Sequence, residues 1–299
     1  MASADEGLKS EALIHALDEA LAGRPARLED LLARAGGLPG PMPNVRLAAA
    51  FGAELGDKPG TLAPLLDHLG AEDSADDSPR AFLPVAAAHG WAGRLRAGRE
   101  VRPAWAALGQ LAADVRPQVL VGVLDAVVSL AARPEQAAAL LANAQAWADT
   151  EDREDRYAAL ALAVKAFGDT HVLENLHDDE GLFAFLSRTL EEMAEAPRSA
   201  ERSWFRRSVL SSLPPTLAAV ITQKGEAAQV WFAEECARAE RPDVRETLSN
   251  ALVRLRNVGQ RGVVVDELRA ALEASAKPLR HAARVRPGTG RGKGNRKIR

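Results

Sequence analysis

One opening recurs in this chain: proline, a short polar residue, valine and arginine. It stands at Pro43-Asn44-Val45-Arg46 and again at Pro242-Asp243-Val244-Arg245. Proline fixes φ near the helical value and lacks an N–H, which a first helical turn does not need. Asp243 sets a carboxylate at the positive end of a helix dipole. Asn44 offers a side-chain oxygen to the first free N–H groups. Behind each opening, apolar residues return on the helical period. One series is Ala48, Ala49, Phe51, Gly52 and Leu55; the other is Val244, Leu248, Ala251, Leu252 and Leu255. A chain that keeps restarting short amphipathic helices must bury many narrow stripes against one another.

The same reading predicts helices over Ser10–Ala22, Leu28–Ala35, Val45–Leu55, Thr61–Leu69, Phe82–Arg96 and Val101–Ala113. Further helices are expected over Pro117–Ala131, Ala137–Ala148, Tyr157–Phe167, Leu182–Met193, Ala227–Ala237, Val244–Leu255 and Gly262–Ala274. Pro117–Ala131, apolar on more than one side, is expected to be the most buried. His171–Asp179 reads as a polar loop, and Pro214-Pro215 as a stop between Ser203–Leu213 and Thr216–Thr222. Strands are not expected: the nearest candidate, Val258–Val265, is interrupted by two glycines. Aromatics make up only 4% of residues, so the core must come from Ala, Leu and Val, whose small side chains let helices approach closely.

Short helices restarted by proline, with the Pro-Asn/Asp-Val-Arg opening and a looser echo at Arg116-Pro117-Gln118-Val119, resemble HEAT-type repeats. The resemblance implies an all-α fold, a right-handed α-solenoid of HEAT-like helical hairpins over residues 10–276. A disordered segment 1–9 would precede it, and a basic disordered tail 277–299 would follow. Such stacks present an extended surface suited to another macromolecule.

Charge is distributed unevenly. Residues 277–299 carry nine cations and no acid, while the whole chain is −3, which leaves the body at −12. Arg291, Lys293, Arg296, Lys297 and Arg299 in this tail are candidates for phosphate contact. With no aromatic residue to stack on bases, the tail would bind with little sequence preference. Inside the body, Trp91, Arg94, Arg96, Arg99, Arg102 and Trp105 bracket one inter-helix turn, and Arg206 and Arg207 follow Trp204 and Phe205. Arginine beside tryptophan suits phosphate contact with stacking; the alternative is that the tryptophans fill the core.

The fold rhythm and basic clusters also resemble the HEAT-like alkylpurine DNA glycosylases. Those enzymes use tryptophans and a catalytic Asp set one helical turn after one of them. Here Trp105 is followed four residues on by Gly109, while Trp147–Glu151 and Trp231–Glu235 have the spacing with Glu. No catalytic residue is therefore assigned.

The single cysteine, Cys236, excludes an internal disulfide and a multi-cysteine zinc site, and reads as a buried small hydrophobe. The acidic run Glu72–Asp77 lacks the EF-hand spacing. The polar stretch at His171 and His177 reads as a loop rather than a metal site. No phosphate loop or nucleophile elbow is visible, so no metal and no cofactor is expected. No signal sequence or membrane span is recognisable, so a cytoplasmic protein is expected. The functional expectation is a non-catalytic interaction protein that binds a protein partner or nucleic acid, DNA or RNA. The second possibility is a repair protein related to the glycosylases.

Overall fold

A computed structural model describes residues 2–257 and 263–275. Among these residues there are fifteen α-helices, two short 3-10 turns and no strand. The first eight helices are α1 (Ala2–Leu21), α2 (Ala26–Ala35), α3 (Val45–Asp57), α4 (Ala63–Gly70), α5 (Phe82–Arg96), α6 (Val101–Leu111), α7 (Pro117–Ala131) and α8 (Pro134–Trp147). The rest are α9 (Arg153–Ala166), α10 (Thr170–Asn175), α11 (Asp179–Glu195), α12 (Trp204–Lys224), α13 (Glu226–Arg238), α14 (Pro242–Asn257) and α15 (Val263–Ala274).

The helices pack in two linked series. In one, α3, α5, α7, α9, α12 and α14 each contact the next. Their registers advance together. Gly52 of α3 faces the His89 carbonyl of α5, and Gly56 faces that of Gly93. Gly122 of α7 faces Val85, and Asp125 faces His89. In α12, Ser203 at the N-cap meets Glu154 at the start of α9, while Thr216 donates to the Val164 carbonyl at 2.8 Å. The other series links α4 to α6, then α8 to α11, α13 and α15, and Trp105 and Trp147 join α6 to α8 edge to face at 6.2 Å. One continuous apolar core runs from Leu13 to Leu272.

Close approach depends on glycine. A Cβ on Gly93 would lie 1.8 Å from the Gly52 carbonyl oxygen, and one on Gly52 would lie 2.2 Å from that of His89. Backbone therefore packs directly on backbone where α3 crosses α5. The small residues Ala86, Ala87, Ala88, Gly90, Ala92 and Gly93 let neighbours close around α5, and every residue from Phe82 to Leu95 is buried. The most buried helix is thus α5, not α7, which leaves Val121 exposed and Leu124 and Asp125 half-buried.

Helix α1 begins at Ala2. Two local expectations are corrected. The stretch expected to be a polar loop contains α10, capped by Asp169, whose carboxylate accepts from the His171 and Val172 amides; Val172 and Leu173 are buried. Pro214 and Pro215 lie inside α12, which continues through them. Val209, Leu213, Pro214 and Leu217 are buried there, and the Thr216 bond ties the same turn to α9, so packing outweighs the two missing N–H groups.

Candidate anion-binding face

Several of the predicted contact residues are core residues. Trp91 and Trp105 are buried, the latter against Trp147. Arg94 is 1% exposed and its guanidinium holds the α3–α4 connection. It donates to the carbonyls of Leu55 (3.1 Å), Lys58 (2.6 Å) and Gly60, and its Nε pairs with Glu100 at 2.7 Å. Glu100, the one non-glycine residue with positive φ among those described, turns back to cap α4. It accepts from the Thr61 hydroxyl and from the Leu62 and Ala63 amides at 2.6, 3.0 and 3.1 Å. Burial alone would raise the Glu100 pKa; the hydrogen bonds from Thr61, Arg94, Ala63 and Leu62 outweigh it and hold the carboxyl below its ordinary range. Arg99 donates to the same Lys58 carbonyl at 2.6 Å.

The second cluster divides in the same way. Arg206 is buried, bonded to the Met193 carbonyl (2.9 Å) and paired with Asp243 at the start of α14. The Asp243 carboxylate, predicted as a helix-dipole partner, thus also ties α14 to α12. Arg207 is exposed and reaches only the Ser203 and Arg202 carbonyls. Trp204 is 44% exposed, with its ring edge to face on Phe205 at 5.0 Å.

Among the described cations that make no side-chain hydrogen bond or ion pair are Arg96 in the last turn of α5, Arg102 in the first turn of α6, Arg133 just after α7 and Lys165 in the last turn of α9; Arg24, Arg46, Arg153, Arg198, Arg202, Arg241, Arg254 and Arg256 are others, spread along the chain. Helix C-termini favour cations because their last carbonyls are unpaired. Arg96 and Lys165 are only partly exposed, while Arg102 and Arg133 are exposed. Burial lowers the Arg96 pKa, as does the neighbouring Arg133 charge, while Asp125 opposes both. Burial alone lowers that of Lys165. Burial raises the Asp125 carboxyl, against the pull of Arg96. Arg96 and Arg133 are near enough for their charges to act on each other, with the single carboxylate of Asp125 acting on Arg96, which leaves a net positive field open to an added anion.

His89 lies beneath this strip. It is 1% exposed, with Nε2 3.5 Å from Asp125 Oδ2 and neither ring nitrogen in a well-formed hydrogen bond. Burial and the Arg96 charge lower its pKa to about 4 from 6.5, with the Gly122 backbone opposing. The unfolded chain therefore binds the extra proton first, so stability falls as pH drops from about 6.5 through about 4. The loss from this group should reach about 3 kcal/mol. Thermal unfolding of His89→Leu should show a flatter pH dependence than the unsubstituted protein over that window; parallel curves would contradict a neutral buried His89.

Across α7 from Arg96 lies a cleft of about 240 Å³ between α7, α9 and α12. Leu120, Val121 and Leu124 form one wall, Ala158, Ala161 and Leu162 the second, and Trp204, Phe205 and Ser208 the third. Among the described residues, Lys165 is the one charged residue lining it.

The tryptophans of the tryptophan–carboxylate spacings, Trp105, Trp147 and Trp231, are all buried. Gly109 is glycine because Trp147 covers it: a Cβ there would lie 2.6 Å from the indole Nε1. Glu151 is exposed beyond the end of α8. The buried Trp231 donates to Ser187 Oγ at 2.8 Å, and Ser187 donates to the buried Glu235 at 2.8 Å, which locks α13 to α11. The acidic loop is likewise tied internally. Glu72 pairs with Arg80 at 2.7 Å, and Arg116 donates to the Glu72 and Ser74 carbonyls at 2.7 and 2.8 Å. Among the described residues no group of His, Cys, Asp and Glu side chains is placed to hold a metal ion. Cys236 is buried and its thiol is pushed up to about 12, first by burial and then by Glu235. No described helix is long and apolar enough to cross a membrane. Arg291, Lys293, Arg296, Lys297 and Arg299 lie outside the described residues.

Of the predicted contact residues, Arg102 and Arg207 are exposed without an acidic partner among the described residues, and Arg96 is partly buried with the Asp125 charge acting on it. Lys165 and Arg133 were missed because neither stands near a tryptophan or another cation in sequence. Their position near the C-terminal ends of packed helices was the available signal. No protein-family model, no curated protein and no solved structure matches the chain.

Proposed function

We propose that the chain is a HEAT-like α-solenoid acting as a non-catalytic interaction protein, with nucleic acid as its macromolecular partner. The successive packing of α3, α5, α7, α9, α12 and α14 in advancing register supports the solenoid. The observation that carries the partner is the pair of neighbouring cations Arg96 and Arg133, whose charges act on each other and which make no ion pair, with Arg133 exposed. Phosphates neutralise such cations and release condensed counterions, and the nine-cation tail extends the same chemistry in sequence. The strip has no ordered array of donors for base edges, so binding is to the backbone and depends weakly on sequence. A reaction on the bound strand is not part of the proposal.

Fluorescence anisotropy of the full chain with a short labelled duplex and a short labelled RNA tests this. The double variant Arg96→Gln/Arg133→Gln should weaken binding and lower the salt slope by about two, roughly one for each lost phosphate contact. An unchanged slope in a folded double variant would remove these arginines from the interface. No binding of either nucleic acid by the full chain would point to a protein partner.

A further inference from the structure

The cleft between α7, α9 and α12 has a chemistry distinct from that of the arginine strip. We infer that it is a binding site for a small aliphatic carboxylic acid, whose chain lies against Leu120, Leu124, Leu162 and Trp204 and whose carboxylate pairs with Lys165. This inference does not rest on the nucleic-acid reading.

Size, polarity and charge each narrow the ligand. A volume of about 240 Å³ matches roughly eight waters at liquid density, which is room for a chain of about eight carbons and too little for a drug-sized molecule. The walls are almost wholly aliphatic and aromatic, so the body of the ligand must be apolar. Lys165 makes no hydrogen bond or ion pair among the described residues and stands partly out of water, so folding has already removed much of its hydration. An arriving carboxylate would recover a charge-assisted hydrogen bond without the full desolvation of the amine. Among the described residues no carboxylate lines the cleft to compete with the ligand. A single ammonium group suits a single negative charge better than a phosphate ester. Trp204, 44% exposed at the rim, would be covered on binding and would report it.

Octanoate and octan-1-ol are the probes, titrated into the full chain by calorimetry and followed by tryptophan fluorescence. Octanoate should bind and shift the emission, with octan-1-ol weaker by about tenfold or more, the value of one charge-assisted bond. Lys165→Met should bring octanoate down to the level of the alcohol while leaving alcohol binding unchanged. Its melting temperature should equal or exceed that of the unsubstituted protein, because it removes a poorly hydrated charge. Ala161→Leu, which fills the cleft, should abolish binding of both probes. Equal affinity for acid and alcohol would overturn the inference, as would octanoate binding that survives Lys165→Met or Ala161→Leu in folded protein.

Discussion

Replacing Arg94 with methionine is expected to destabilise the protein by about 3–5 kcal/mol, the usual cost of breaking a buried ion pair from one side. The volume of the side chain is roughly kept, so the loss would come from the polar groups left behind. Glu100 would keep its capping bonds to α4 but lose its cation at 2.7 Å. The buried carbonyl of Leu55 would lose its Arg94 donor away from water, the part-buried bond to Gly60 would be lost as well, and Lys58 would keep only Arg99. Arg94→Lys should recover little, since one ammonium cannot span three carbonyls and a carboxylate in the planar spread a guanidinium provides. Urea unfolding monitored by circular dichroism measures this directly. A loss under about 1 kcal/mol for Arg94→Met would mean that Arg94 is a surface cation, as its place in the basic cluster suggested.

Gly93→Ala is the second large effect. The added methyl would sit 1.8 Å from the Gly52 carbonyl oxygen, and that atom belongs to a helix backbone, so no rotamer change relieves the contact. Only separation of α3 from α5 does, and α5 is buried along nearly its whole length. The cost should lie at or above the upper end of the ~1–3 kcal/mol range for overpacked cores, despite the better helix propensity of alanine. Gly70→Ala is the matched control. Its nearest neighbours, Leu111 and Ala87, are 3.6 and 3.7 Å from the new methyl, which is ordinary contact, so this variant should be neutral or slightly stabilising. If both alanines behaved alike, the close crossing of α3 and α5 would be wrong.

These two positions also show what could be read from the chain beforehand. Helix period and proline-led starts located α3, α5, α7 and α14 to within a few residues, and scarce aromatics pointed to close helix contact. Which glycines make that contact was not legible, because Gly52 and Gly93 meet only after the α3–α5 connection folds back. The same limit explains Arg94 and Arg206. In sequence each is one arginine among several beside a tryptophan. The fold turns both inward onto distant groups, a set of loop carbonyls for Arg94 and Asp243 for Arg206. Arg96 and Arg102, two and eight residues beyond Arg94, are partly buried and exposed respectively, because they fall on other faces of their helices. Local rules failed where tertiary packing overrode them. The Pro214-Pro215 pair sits within α12 because Leu213, Pro214 and Leu217 are buried, and α10 forms because Asp169 caps it and Leu173 is buried.

The helical body, rather than the basic tail alone, is held to contact nucleic acid, and one measurement separates the two. The full chain and a truncation ending at Ala276 would be titrated against a short duplex across a salt series. The truncation removes only cations of the tail and leaves every described helix intact. The predicted result is that the truncated protein still binds, with a shallower salt slope that falls again on Arg96→Gln. Binding that vanishes with the tail would contradict an interface on the helical body and leave the tail as the whole of the contact.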